Sequence, residues 1–141
     1  MKVLFVCTGN TCRSPMAEAI LKKINEQIEV KSAGIFAADG ASMSEHAQTV
    51  LKEKNIPYDH ESRLLTKEDI DWADYIFTMT SNHKDYILQT YPEAANKTFS
   101  IKEYVLGRNE DIIDPFGGPV ELYRKTYKEL EELISKLASK L

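Results

Sequence analysis

Apolar and polar positions alternate between two periods along this chain. Val3-Leu4-Phe5-Val6 is a short unbroken apolar run, rich in β-branched and aromatic residues and closed by a Gly/Asn/Thr turn, which predicts a buried strand over 2–6. Ser14-Pro15 then supplies an N-cap and first helical position, with Met16, Ile20, Leu21 and Ile24 following at helical spacing. Residues 29–32 predict a second strand running into Ala33-Gly34, residues 37–41 a loop, and Ser44 the cap of a helix carrying Ala47, Val50 and Leu51. Asn55-Ile56-Pro57 stops that helix. Thr66 opens another with acidic residues in its first turn, where the helix dipole favours them. Residues 75–79 predict a third strand, Ser81 begins a helix through Tyr86, Ile87 and Leu88 that ends near Pro92, and residues 98–101 predict a weaker fourth strand.

Residues 119–141 read as one long helix whose Tyr123, Tyr127, Leu130, Ile134, Leu137 and Leu141 step by four and three. That stripe suits a dimerising coiled coil or a helix docked on a sheet; about three heptads favour docking. Strands alternating with helices predict an α/β fold, a single domain over 1–141 with a four-stranded parallel sheet and helices on both faces. Residues 107–119 form the one long irregular stretch, a length that in compact domains usually accompanies function.

Composition changes this picture little. With 141 residues the chain can bury one core, and 28% charged residues with a net charge of −4 give no general reason to expect a nucleic-acid partner. No signal peptide or membrane-length apolar run is present, so no membrane partner and a cytoplasmic location are expected. The two cysteines, Cys7 and Cys12, do not make a disulfide framework or a zinc site, and no metal or cofactor is expected.

Both cysteines fall in the stretch 7–14, Cys-Thr-Gly-Asn-Thr-Cys-Arg-Ser, between the first strand and the first helix. A loop there aims several backbone N–H groups into one concavity, and the helix dipole adds positive potential, which suits a phosphate. Cys7 beneath that anion is expected to have a lowered thiol pKa, and Arg13 can offer a planar fork to two phosphate oxygens. Gly9 permits a tight turn, Asn10 tolerates a left-handed conformation, and Ser14 can donate to the sulfur. A buried cysteine after a strand can equally be a small hydrophobe, but the strand before and the helix start after favour the chemical reading. Asp114-Pro115 reads either as a turn starter or as a carboxyl on a hinged loop able to supply a proton to a leaving group.

Over its whole length the chain resembles the low-molecular-weight protein tyrosine phosphatases, which carry Cys-x5-Arg-Ser on the first strand-to-helix loop and Asp-Pro on a long loop before the last helix. The resemblance implies a Rossmann-like phosphatase domain over 1–141 in which Cys7 is the nucleophile, Arg13 the transition-state clamp and Asp114 the general acid. Thr8, Gly9, Asn10, Thr11, Cys12 and Arg13 then bind phosphate, and Asn10, Ser14, Ser32 and His60 brace the loop, His60 as a hydrogen-bonded imidazole rather than a base. His46 and His83 fall on predicted polar helix faces and receive no role. Trp72 and Tyr75 are expected to pack near the third strand.

Position 11 is Thr where tyrosine phosphatases of the family carry an aliphatic residue, and Gly117 follows Asp-Pro-Phe where many carry a second aromatic. In both respects the chain is similar to the bacterial branch that removes phosphate from phosphoarginine, which implies a phosphoprotein substrate and opposition to a protein arginine kinase in a stress response. Thr11, Phe36 and Phe116 are the candidate selectivity residues. Drift at Thr11 with tyrosine phosphatase activity intact is the alternative, and core packing is the alternative for both Phe residues. Cys12 either fills space or forms a reversible disulfide with oxidised Cys7. An arsenate reductase on this fold would need cysteines after Cys12, and none follows. A non-catalytic module that binds a phosphorylated partner would have no use for nucleophile, clamp and acid together. A monomer is expected.

Overall fold

The computed structural model describes residues 1–56 and 58–141. Pro57, expected to help stop the second helix, lies outside the described residues. Strands β1 (Lys2–Cys7), β2 (Glu29–Gly34), β3 (Tyr75–Thr78) and β4 (Thr98–Ser100) pair in parallel in the order β2-β1-β3-β4. Helices α1 (Arg13–Ile24), α2 (Glu45–Glu53), α3 (Lys67–Trp72), α4 (Ser81–Thr90), α5 (Ile101–Leu106) and α6 (Val120–Lys140) cover it, with a 3-10 turn at Pro92–Ala94.

The sheet divides the core. Val3 and Phe5 face one cluster with α1, α2 and α6, while Leu4 and Val6 face a second with Ile70 of α3 and Ile87 of α4, as the two-residue period of a doubly covered strand requires. Tyr123, Tyr127, Leu130, Ile134 and Leu137 of α6 are all buried in the first cluster, so the stripe is consumed by docking within the chain rather than left for a coiled coil. Tyr75 stacks on Phe77 within β3, and Trp72 packs against the cluster that holds Ile76 of β3 while its ring also lies under the ammonium groups of Lys2 and Lys31.

Local chemistry sets the helix boundaries. Ser44 and Thr66 cap α2 and α3 by accepting from Ala47 N and Asp69 N, and α4 begins at Ser81 as expected, capped by Thr80. Two expectations are corrected. The fourth strand ends at Ser100, because Ser100 and Glu103 form a capping box that opens α5 at Ile101, and Gly107 closes it at φ 68°. Ser14 is not the cap of α1: the helix begins at Arg13, and the Ser14 hydroxyl turns instead toward Cys7.

Chain direction changes sides at β1, whose successor β2 lies on one flank and β3 on the other. Such a switch point opens a crevice at the carboxyl ends of the strands. Cys7 is the last residue of β1 and stands at that crevice.

Candidate active site

A cavity of about 210 Å³ opens at the carboxyl end of β1, lined by Cys7, Thr8, Gly9, Asn10, Thr11, Cys12, Arg13, Asp114 and Phe116. All six expected phosphate-loop residues therefore meet the expected nucleophile and acid in one place. Asn10 supplies the left-handed residue of the turn at φ 56°.

Asn10 is completely buried and its amide is fully committed. Nδ2 donates to Ser14 Oγ at 2.8 Å and to Ser32 Oγ at 2.9 Å, while Oδ1 accepts from Arg63 N at 2.9 Å. Accepting from Asn10 leaves the Ser14 hydroxyl hydrogen free for Cys7 Sγ, 2.8 Å away. Ser32 in turn donates to Glu18 Oε1 at 2.7 Å, and Glu18 Oε2 accepts from Tyr58 OH. His60 Nε2 bonds the Asn10 carbonyl at 2.9 Å, so Asn10, Ser14, Ser32 and His60 do lie in one network. Glu18, Tyr58 and Arg63 extend it, and spacing along the chain gives no sign of them.

A glycine completes the floor. A Cβ on Gly34 would collide with the Thr8 carbonyl oxygen and come within 3.0 Å of Asn10 N, so only glycine lets β2 pass beneath the loop. That close passage allows Ile35 N and Phe36 N to donate to the Cys7 and Thr8 carbonyls, each at 3.0 Å.

Burial pushes the Cys7 thiol up from its ordinary value, against the lowering effects of the Ser14 hydroxyl, the Arg13 charge and backbone N–H groups. The expected net lowering is thus corrected: the sulfur sits deeper in apolar surroundings than a loop-end position suggested. Both cysteines are free thiols. Cys12 Sγ lies 3.4 Å from Ser44 Oγ and from Tyr123 OH.

Arg13 is 4% exposed; its Nη1 donates to the Ile112 carbonyl at 2.9 Å and its Nη2 lies 3.6 Å from Asp114 Oδ2. The clamp residue thus holds the acid loop directly. Within that loop Asp114 Oδ1 accepts from Phe116 N at 3.0 Å, and Gly118 N donates to Pro115 O at 2.9 Å with Gly117 at φ 81°. This turn needs glycine at its third position, which gives Gly117 a conformational reason, and it carries Phe116, 73% exposed, at the cavity wall. Phe36 is not among the lining residues; it packs edge-on against Tyr86 with ring centroids 5.7 Å apart. Thr11 lines the cavity, and its hydroxyl makes one weak contact, with Cys12 Sγ at 3.8 Å.

His83 departs most from expectation. It is buried rather than on a polar face, with Nε2 2.8 Å from Thr8 Oγ1. His46 is exposed and rests its ring against Tyr123. Among the described residues no group of three His, Cys, Asp or Glu side chains is placed to hold a metal ion, and no helix is long and apolar enough to cross a membrane.

Residues 2–141 match the family described as low molecular weight phosphotyrosine protein phosphatase. A protein-arginine-phosphatase of Geobacillus stearothermophilus is 57% identical over 143 residues, covering 99% of this chain and 95% of the relative. A protein-arginine-phosphatase of Bacillus subtilis is 46% identical, covering 100% and 97%. Among solved structures, the YwlE arginine phosphatase mutant with a phosphorylated active-site serine superposes with a TM-score of 0.97 at 45% identity, covering 100% of this chain and 95% of that one.

Proposed function

This chain belongs to the low molecular weight phosphotyrosine protein phosphatase family, and from that membership we propose that it hydrolyses phosphoarginine in proteins through a cysteinyl-phosphate intermediate. The observation that carries the reading is the single cavity in which Cys7, Arg13 and Asp114 meet, in a chain 57% identical to an arginine phosphatase.

In the first step the Cys7 thiolate attacks phosphorus. An S–P bond forms, the P–N bond to the guanidine breaks, and Asp114 delivers its proton to the departing nitrogen. In the second, Asp114 takes a proton from water as it attacks the same phosphorus, breaking the S–P bond and releasing phosphate. Backbone N–H groups from Thr8 to Arg13 and the Arg13 guanidinium hold the non-bridging oxygens, which gather charge in both steps. Ser14 stabilises the thiolate each time it appears. Asp114, half exposed at the cavity mouth, is reachable by both leaving group and water.

Thr11 carries the substrate choice in this reading. Its hydroxyl is uncommitted apart from one weak contact, so it can bond a planar polar guanidine, and Phe116 offers a face for that plane to stack on. Cys12 serves as a redox guard: peroxide oxidises Cys7 to the sulfenic acid, and the Cys12 thiol condenses with it, forming the disulfide and releasing water before further oxidation. The chain acts in the cytoplasm and as a monomer.

The test compares kcat/KM on phosphoarginine and phosphotyrosine peptides for the wild type and Thr11→Ile. The wild type should prefer phosphoarginine, and the variant should move the ratio toward phosphotyrosine by roughly 10–200-fold, the effect of one group in a specificity pocket. A wild type preferring phosphotyrosine, with the ratio unmoved at Thr11→Ile, makes this a tyrosine phosphatase.

A further inference from the structure

His83 is 5% exposed, lies outside every expected site residue, and still touches the phosphate loop through Thr8 Oγ1 at 2.8 Å. Its other nitrogen, Nδ1, is buried with no hydrogen-bond partner among the described residues. A stranded N–H is rarer in proteins than a stranded lone pair, so the proton belongs on Nε2, which then donates to Thr8. The charges near the ring are those of Arg13, Asp111 and Asp114; burial first and then Arg13 disfavour a second proton, against the two carboxylates.

Residues just before it hold the acid loop. Met79 O accepts from Ile112 N at 2.9 Å, and Ser81 N donates to Asp111 Oδ1 at 2.8 Å. His83 itself is pinned by its backbone N–H to the Thr80 cap. Residues 79–83 therefore grip the loop of Asp114 at one end and the loop of Cys7 at the other.

We propose that His83 is a positioning residue that fixes Thr8, and with it the phosphate loop, to the segment that carries the acid loop. With its hydroxyl oxygen accepting from His83, Thr8 cannot rotate away, and the residue directly after the nucleophile keeps its N–H aimed at phosphate. The proposal rests on the phosphatase reading and deepens it.

Inhibition of aryl phosphate hydrolysis by inorganic phosphate tests it, in His83→Leu, His83→Gln, Thr8→Val and the double variant His83→Leu/Thr8→Val. Each loss of the bond should weaken phosphate inhibition roughly three- to tenfold, the scale of one hydrogen bond. The double variant should lose no more than the worse single one, and His83→Gln, whose amide reaches the place of Nε2, should recover most of the affinity. Additive losses, or Gln no better than Leu, overturn the proposal. Should His83→Leu fail to fold, Thr8→Ser against Thr8→Val decides: Ser must keep the affinity that Val loses, and equal loss in both overturns it. A wild type that neither hydrolyses aryl phosphates nor is inhibited by phosphate overturns the phosphatase reading instead, whereas active variants indistinguishable from wild type overturn only the role of His83.

Discussion

Ser14 Oγ stands 2.8 Å from Cys7 Sγ and accepts from Asn10 Nδ2 on another side, which leaves its hydrogen free to donate to the sulfur once that is a thiolate. This bond opposes the burial that otherwise keeps the sulfur protonated. A helix boundary two residues earlier than expected makes it possible: as second residue of α1, Ser14 no longer serves as a cap and points at the sulfur.

Ser14→Ala should therefore raise the Cys7 thiol further. Because the thiolate is the reactive form, the acid limb of kcat/KM moves to higher pH, and the rate near pH 6 falls roughly tenfold or more, the scale of a hydrogen bond to a charged group. At high pH the deficit shrinks. The pH dependence of Cys7 alkylation by iodoacetamide measures the shift directly, and an unmoved midpoint removes Ser14 from this role.

Asp114→Asn keeps the Phe116 N–H contact available to the side-chain oxygen but cannot deliver a proton. Turnover of a substrate with a poor leaving group should drop by about 10²–10⁴. An aryl phosphate with an acidic phenol, which needs little protonation to leave, should lose much less in the first step. Single-turnover rates across a leaving-group series separate the two, and a uniform loss across the series points to misfolding of the loop.

Gly34→Ala places a methyl against the Thr8 carbonyl. Backbone on both sides leaves the strain nowhere to relax, and the fold should lose roughly 1–3 kcal/mol. Urea unfolding gives that number; loss of phosphate affinity at urea concentrations where the variant is still folded would locate the distortion in the loop. A neutral substitution would contradict the close passage of β2.

Acid should weaken the fold through His83. Burial, then the Arg13 charge, depress its pKa from 6.5 to about 4, so the unfolded chain binds a proton there before the folded chain does. The stabilising contribution is complete above pH 6.5 and lost as pH falls to about 4, amounting to up to about 3 kcal/mol. Comparing urea midpoints at pH 7 and pH 4.5 in wild type and His83→Gln isolates it: the glutamine variant should lose less on acidification.

What is legible in the sequence is what is local. The strand, loop and helix around Cys7, the caps at Ser44 and Thr66, and the docking stripe of α6 follow from neighbours a few residues apart. The Ser100-x-x-Glu103 capping box was also there, masked by the β-branched and aromatic residues of Thr98-Phe99-Ser100-Ile101. His83 read as solvent-facing because its partner, Thr8, is 75 residues away in the chain. Glu18, Arg63 and Gly34 matter for the same reason, through contacts that no periodicity encodes.

Asn10 closes its network with Ser32, His60 and Arg63, and the acid waits on residue 114. During synthesis, then, the nucleophile emerges first and its chemistry last. A nascent chain holding only β1 and α1 has a cysteine in a Gly-Asn turn without the Ser32, His60 and Arg63 contacts that brace Asn10 in the left-handed form. Phosphoryl transfer thus needs the chain as far as residue 114, and a shorter fragment carries a thiol without the acid that completes its chemistry.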